Sequence, residues 1–383
     1  MKYYRSSILG LKYFRIPLLL LIFLCFTSLF MKAQRIYLIA GTYTSSNSEG
    51  IYVFDWNEAK GTASKRTSIF TSNPSFLAVN PSKTHLYSVN ENNPGTVSSF
   101  AFDTASVQLR FLNAVSSKGI HPCYIAVHPS GQWVVTGNYS GGGLTLFEVR
   151  SDGSLSDPVQ NLQHSGRSID TVRQKKSHVH ATFFSPDGRF LFVPDLGTDQ
   201  VVVYPFNTKE GTIANTEKQI IEITAGGGPR HLAIHPSGNY LYVLEELSGF
   251  VSVFQQTKGN WAGLQRITSL PAGYAGGISA ADIHLSADGN YLYCSNRGDA
   301  NLLTVFRVQP NGGTLSPIQH LSCGGKKPRN FGIDPSGSWL VVANQESNDL
   351  ILFKRDVNTG LLTSTGDSIT IPAPVFVSWI QLP

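Results

Sequence analysis

Arginine, histidine and carboxylate side chains suited to acid–base and electrostatic work stand at a few irregular positions in an otherwise repetitive chain. Arg230, Arg297 and Arg329, together with His180, His231, Asp282 and Glu246, occupy places where neighbouring repeats carry unrelated residues. A guanidinium fork matches a carboxylate, a phosphate or a developing oxyanion. A nearby imidazole or carboxylate can take a proton from water. Such groups would activate water and hold the charge its attack creates, if the fold brings residues from 180 to 329 into one pocket.

The repeat that must do this is visible as a turn phrase. It reads NPSK at 80–83, HPSG at 128–131, SPDG at 185–188, HPSG at 235–238, SADG at 286–289 and DPSG at 334–337. From one second residue to the next the steps are 48, 57, 50, 51 and 48. A period near 50 in a chain rich in β-branched and aromatic residues predicts an all-β array of the propeller type. Each repeat reads as four strands: one before the turn (FLAVN, YIAVH, HLAIH), one after it (HLYSVN, WVVTGN, YLYVLE), a third (VSSFAF, LTLFEV, VSVFQQ) and a weaker fourth. Gly, Pro, Asn, Asp and Ser mark the junctions, as turn geometry requires.

Material is left over at both ends. IYLIAGTYT (36–44), GIYVFDW (50–56) and ASKRTSIF (63–70) resemble the second, third and fourth strands, and VFVSWIQ (375–381) resembles a first strand with nothing after it. The expectation is a seven-bladed β-propeller of four-stranded antiparallel blades occupying 35–383. Its last blade is closed by three N-terminal strands and one C-terminal strand, which pairs the edges an open array would leave free.

Aligning the repeats separates structural from functional positions. Ten residues past the second turn residue stand Glu91, Tyr139, Leu196, Glu246, Arg297 and Gln345, with Tyr43 by extension. One position earlier stand Asn90, Asn138, Asp195, Glu245, Asn296 and Asn344, a near-uniform column that fits a recurring turn cap. Glu245 therefore reads as structural and Glu246 as functional, against the alternative of an unpaired surface glutamate. Six residues before the aligned position the column is Ser75, Cys123, His180, Arg230, Ala281 and Arg329; the next is Phe76, Tyr124, Ala181, His231, Asp282 and Asn330. The first strand of a propeller blade is innermost. Its start and the end of its antiparallel partner share one face, so both variable columns meet at the mouth of the central channel. His284, two residues past Asp282, is expected there too. One arginine alone could be a solvated rim residue, but three in one cleft exceed chance surface charge.

The 57-residue step puts its extra length in QHSGRSIDTVRQKKSHVH (163–180), a surface loop expected to fold over the mouth and bring Arg173 and His178 with it. Its charges also fit a merely solvated loop. His178 and His180 have the i, i+2 spacing seen in zinc sites, yet no third ligand stands at recognisable spacing, so no metal is expected.

Bulk composition excludes some classes of partner. The net charge of +5 comes from Lys2, Arg5, Lys12, Arg15 and Lys32; the rest of the chain holds 25 basic and 25 acidic residues, giving no overall pull toward nucleic acid. That basic stretch and the apolar IPLLLLIFLCFTSLF (16–30) read as a secretory leader over 1–34, cleaved after about Ala33. Its 15 residues, Thr27 and Ser28 among them, fall short of the roughly 20 apolar residues that span a bilayer. Leu24 before Cys25 disfavours lipidation. The expectation is an exported, periplasmic protein without a stable membrane anchor. Cys123, Cys294 and Cys323 have neither disulfide-scaffold nor metal-site spacing.

RQKKSHVH (173–180), GGGPRHLAIHPSGNYLYVLEE (226–246), AADIHLSADGNYLYCSNR (280–297) and KPRNFGIDPSGSWLVVAN (327–344) resemble the lactonase-type seven-bladed propellers, the family of 6-phosphogluconolactonases and carboxy-muconate cyclases. The resemblance runs from about residue 36 to the last residues. The Trp-Asp signature of WD40 repeats and the paired glycines of kelch blades are absent. The resemblance implies hydrolysis or formation of a lactone ring by a site without a redox cofactor, and the family's reacting positions match His180, Arg230, Glu246 and Arg297; no cofactor is expected. The family often has Asn-Glu where this chain has Glu245-Glu246.

The favoured expectation is an exported lactonase. Glu246 or His180 activates water, Arg230 and Arg297 hold the oxyanion, and Arg329 with Arg173 grips an anionic or polyhydroxylated tail. His178, His231, Asp282 and His284 complete the substrate contacts. An exported enzyme would meet an unphosphorylated sugar lactone or another cyclic ester. The alternatives are a muconate-type cyclase and a non-catalytic propeller that binds an anionic glycan or a protein at the same mouth.

Overall fold

Strand-forming segments and tight turns alternate along the chain, and the computed structural model, which describes residues 1–3, 34–45, 47–310 and 312–382, resolves them into seven sheets. Six follow the repeat. Their inner strands are Leu77–Val79, Pro122–Val127, Phe183–Phe184, Pro229–Ile234, Ala280–Leu285 and Pro328–Ile333, each succeeded outward by antiparallel partners. The seventh sheet has the order Pro374–Leu382, Arg35–Thr42, Ile51–Asn57, Thr62–Ile69, so the chain is a seven-bladed propeller closed by segments from both termini. One blade departs from four strands. Its outermost strand is split into Thr212–Ile213 and Gln219–Glu222, separated by the 3-10 turn Asn215–Glu217. The compact unit runs from Ile36 to Leu382; the leader expected over 1–34 lies almost wholly outside the described residues.

Period-two patterning explains the stacking, because successive side chains on a strand point to opposite faces and both faces of each sheet are covered. In Arg35–Thr42, Ile36, Leu38 and Ala40 pack with Trp339 and Val341 on one side, while Tyr37 and Ile39 pack with Leu86 and Phe100 on the other. Seven such apolar clusters each bridge two sheets that are neighbours in the ring, the last repeat and the closing sheet included. The closing contact is tight. Gly61 (φ +63°) lies under the Trp339 ring, where a Cβ would sit 2.2 Å from the indole, and Trp339 Nε1 donates to the Glu58 carbonyl at 2.8 Å.

Two local devices set up the ends of the channel. At one end the turn phrases close alike: in five of them the fourth-residue glycine has φ between +72° and +76° and donates its N–H to the carbonyl of the first residue. Lys83 takes that conformation in the first repeat, at φ +62°. At the other end the inner strands begin with a slip in register, between Pro122 and Tyr124, Pro229 and His231, and Pro328 and Asn330. Cys123, Arg230 and Arg329 are the extra residues. Such a bulge re-aims its side chain away from the regular alternation.

Candidate active site

Glu246 follows the second strand of its blade, Tyr240–Glu245, and is 4% exposed. Three guanidinium groups converge on its carboxylate. Arg173 Nη2 donates to Oε1 at 2.7 Å, Arg230 Nε stands 3.0 Å from Oε2 without the alignment of a hydrogen bond, and Arg297 Nη2 lies 3.1 Å from Oε2. His180 Nε2 is 3.8 Å from Oε2. Arg230 and Arg297 are themselves buried and anchored by main-chain carbonyls, Ala281 for the first and Ala280, at 3.2 Å, for the second. The inserted loop brings Arg173. Gln174 fastens the loop by donating to Leu196 O and Asp199 Oδ1, both at 2.8 Å, and Ser177 by donating to Asp195 Oδ2 at 2.6 Å. His178 stacks on Tyr139 with ring centroids 4.5 Å apart, and Arg173 also donates to the Tyr139 hydroxyl at 3.0 Å.

A second cluster adjoins the first. Arg329 Nη2 lies 3.6 Å from Glu91 Oε2 and its guanidinium is 5.4 Å from the centre of the Tyr43 ring; the Tyr43 hydroxyl donates to Glu91 at 2.9 Å. Arg329 and Glu246 also act electrostatically on one another. Tyr43, Glu91 and Tyr139 are absent from the functional set read from the sequence, although all three stand in the variable column ten residues past the aligned turn residue.

Burial would raise the Glu246 carboxyl, but Arg297, Arg230 and Arg173 outweigh it and hold it at about 2. Burial lowers the His180 imidazole well below its ordinary value of 6.5, and Arg230, His231, Arg329 and Arg297 lower it further, so the ring is uncharged at neutral pH. Arg297 falls to about 9 through burial, only partly countered by Glu246. The cluster therefore holds cations pressed against one permanent carboxylate and a neutral base.

The other expected residues are placed differently. His231 and Asp282 are buried one step further along the inner strands, with His231 Nδ1 2.7 Å from Asp282 Oδ1. His231 packs edge-on against Phe76, Tyr124 and Phe183 and also against His180, with ring centroids 5.4 Å apart, so this group forms a plug across the channel whose inner side adjoins the Glu246 cluster. His284, expected at the mouth, instead lines the cavity at the opposite end, with Pro129, Pro186 and Pro236 of the turn phrases. The reason is strand geometry: each residue advances about 3.3 Å, which carries position 284 through the plug. Glu245 accepts from Arg266 Nη2 at 2.6 Å and from Ser252 at 2.7 Å, a buried tie between neighbouring strands. Cys123, Cys294 and Cys323 are buried and unpaired. Among the described residues no three His, Cys, Asp or Glu side chains are grouped to hold a metal ion, and no helix is long and apolar enough to cross a membrane.

Fold and sequence together define a class. Residues 37–379 match the Lactonase, 7-bladed beta-propeller family, and the chain belongs to it. A 6-phosphogluconolactonase of Bacillus subtilis (strain 168) is 35% identical over 89% of this chain and 97% of its own length. The 6-phosphogluconolactonase of Formosa agariphila is 33% identical over 87% of this chain and 96% of its own. Among solved structures, the periplasmic gluconolactonase of Pseudomonas aeruginosa superposes with a TM-score of 0.85 at 36% identity, covering 91% of this chain and all of that one. The protein is a lactonase.

Proposed function

We propose that this lactonase hydrolyses a sugar lactone at the mouth of its channel, with His180 as the base and Arg230 and Arg297 as the oxyanion clamp. One observation carries the reading: three guanidinium groups and an uncharged imidazole meet at a single buried carboxylate. Glu246, held at about 2, is a weak base, so its role is to organise the arginines and stabilise the imidazolium formed on His180. His180 is free to accept a proton from water. The oxyanion that forms when this water attacks the ring carbonyl offsets the positive charge that, after burial, keeps the imidazole pKa low; its collapse breaks the ring C–O bond and the imidazolium returns the proton to the leaving alkoxide. Charge developing among preoriented donors in a site shielded from water is the largest source of acceleration in such chemistry. Arg329, Arg173 and Glu91 form the side on which an anionic or polyhydroxylated tail is gripped, with His178 beside Tyr139 as its outer edge.

An unphosphorylated substrate met outside the cytoplasm is the variant favoured here. The basic and apolar N-terminal stretch supports it, as does likeness to a relative named as a periplasmic gluconolactonase. The test offers the purified protein glucono-δ-lactone, 6-phosphogluconolactone and carboxy-muconate, with Arg297→Ala and Glu246→Gln variants alongside. Hydrolysis of the first that collapses in both variants is the expected result. Wild-type rates in both variants would refute the assignment, and turnover of muconate alone would make the protein a cyclase. Fractionation of the native host, with N-terminal sequencing of the mature chain, tests export.

A further inference from the structure

The channel end opposite Glu246 contains a cavity of about 650 Å³, within the range of roughly 300–1,000 Å³ typical of small-ligand sites. Its lining is chiefly apolar. Phe76, Tyr124, Phe183 and Phe376 form a connected aromatic floor, with ring centroids 3.9 Å apart for Phe76–Tyr124, 4.5 Å for Phe76–Phe376 and 4.8 Å for Tyr124–Phe183. One ionisable pair interrupts it. Asp282, 2% exposed, sits 2.8 Å from His284 Nε2, while the His284 side chain is 42% exposed. Asp282 is already held on its other sides by His231 and by Asn330, which also donates to it.

This arrangement has a chemical consequence. Asp282 fixes which nitrogen of His284 it binds and favours the charged imidazolium, leaving the Nδ1–H directed away from the pair. An imidazole N–H donor facing aromatic and aliphatic walls suits a ligand that joins a carboxylate to a ring or short hydrocarbon. A wholly apolar ligand would leave that Nδ1–H without an acceptor, and a sugar would leave the aromatic floor without a matching face.

We infer that this far cavity is a second binding site, separate from the lactonase centre, for a small aryl or alkyl carboxylate anchored on His284. It does not depend on the lactone reading, because the plug of Phe76, Tyr124, His231 and Asp282 divides it from Glu246. The probe is benzoate, titrated into the purified full chain by calorimetry, with benzyl alcohol as the uncharged comparison. The expected result is saturable benzoate binding that weakens about 10- to 100-fold in His284→Gln and stays as in wild type in Arg297→Ala. Intermolecular NOEs from the benzoate ring to the methyl groups of Ile283 and Leu285 in the wild-type protein locate the ligand even if the His284 variant fails to fold. The inference is overturned by absence of saturable binding, by benzyl alcohol binding as well as benzoate, by loss of binding in Arg297→Ala with none in His284→Gln, or by absence of those NOEs.

Discussion

The two ends of the channel are built on the same inner strands, yet they carry opposite chemistry. At the turn-phrase end the strands finish alike, in near-identical turns, and the walls between them are apolar with one charged pair. At the mouth the strands start irregularly, through bulges at Cys123, Arg230 and Arg329, and the space is filled with guanidinium groups. Regular pairing makes walls. Charged side chains are accommodated where the pairing slips and where loops of unequal length meet, since neither constrains which residue occupies the position.

The sharpest way to break that contrast is Glu246→Gln. Neutralising that carboxylate leaves the buried Arg230 and Arg297 without an anionic partner, so unfolding free energy should fall by about 3–5 kcal/mol and lactone hydrolysis should be lost with it. Urea denaturation and a rate assay on the same preparation check both; an unchanged midpoint would mean that the arginines do not depend on Glu246. Next is Arg297→Ala, expected to lower kcat by about 10²–10³ with little change in fold, read by steady-state kinetics and circular dichroism.

Titration separates the two ends by sign. Glu246 is held at about 2, below its ordinary 4.5, so the stability it contributes is present above about pH 4.5 and disappears as pH falls toward 2. At the far end Asp282 raises His284 against the partial loss of its hydration, so its contribution is present in acid and lost as pH rises through the raised value. Denaturant midpoints followed from acid to alkaline pH should lose the acid limb in Glu246→Gln and the neutral-to-alkaline limb in His284→Gln. Matching profiles in the two variants would erase the distinction. The smallest effect is expected of Glu91→Gln. Its 3.6 Å approach to Arg329 is loose, so KM for an anionic lactone should change by no more than about tenfold while kcat holds.

Much of this arrangement is legible in the amino-acid order alone. The spacing of the turn phrases implies the ring, and the leftover strands at 36–70 and 375–381 imply how it closes. Comparing columns also distinguishes Glu246 from Glu245, because a position occupied by Asn or Asp in other blades serves every blade, whereas one that varies serves a single place. What stays hidden depends on three-dimensional detail. Sequence spacing places His284 beside Asp282 but cannot show that the strand has passed the plug by then. Nothing in CYIAVH or RHLAIH announces a bulge, although it is the bulge that aims Arg230. Tyr43 and Glu91 stand in the variable column yet are not picked out by it, because their partner, Arg329, is remote in sequence and meets them only once the ring is closed.

Joining the first and last strands in one sheet has a consequence for how the protein is made. Until Pro374–Leu382 has been synthesised, Arg35–Thr42 lacks its inward neighbour and the ring stays open. Ring closure thus waits for that last strand, and the edge of Arg35–Thr42 stays open to pairing until it arrives.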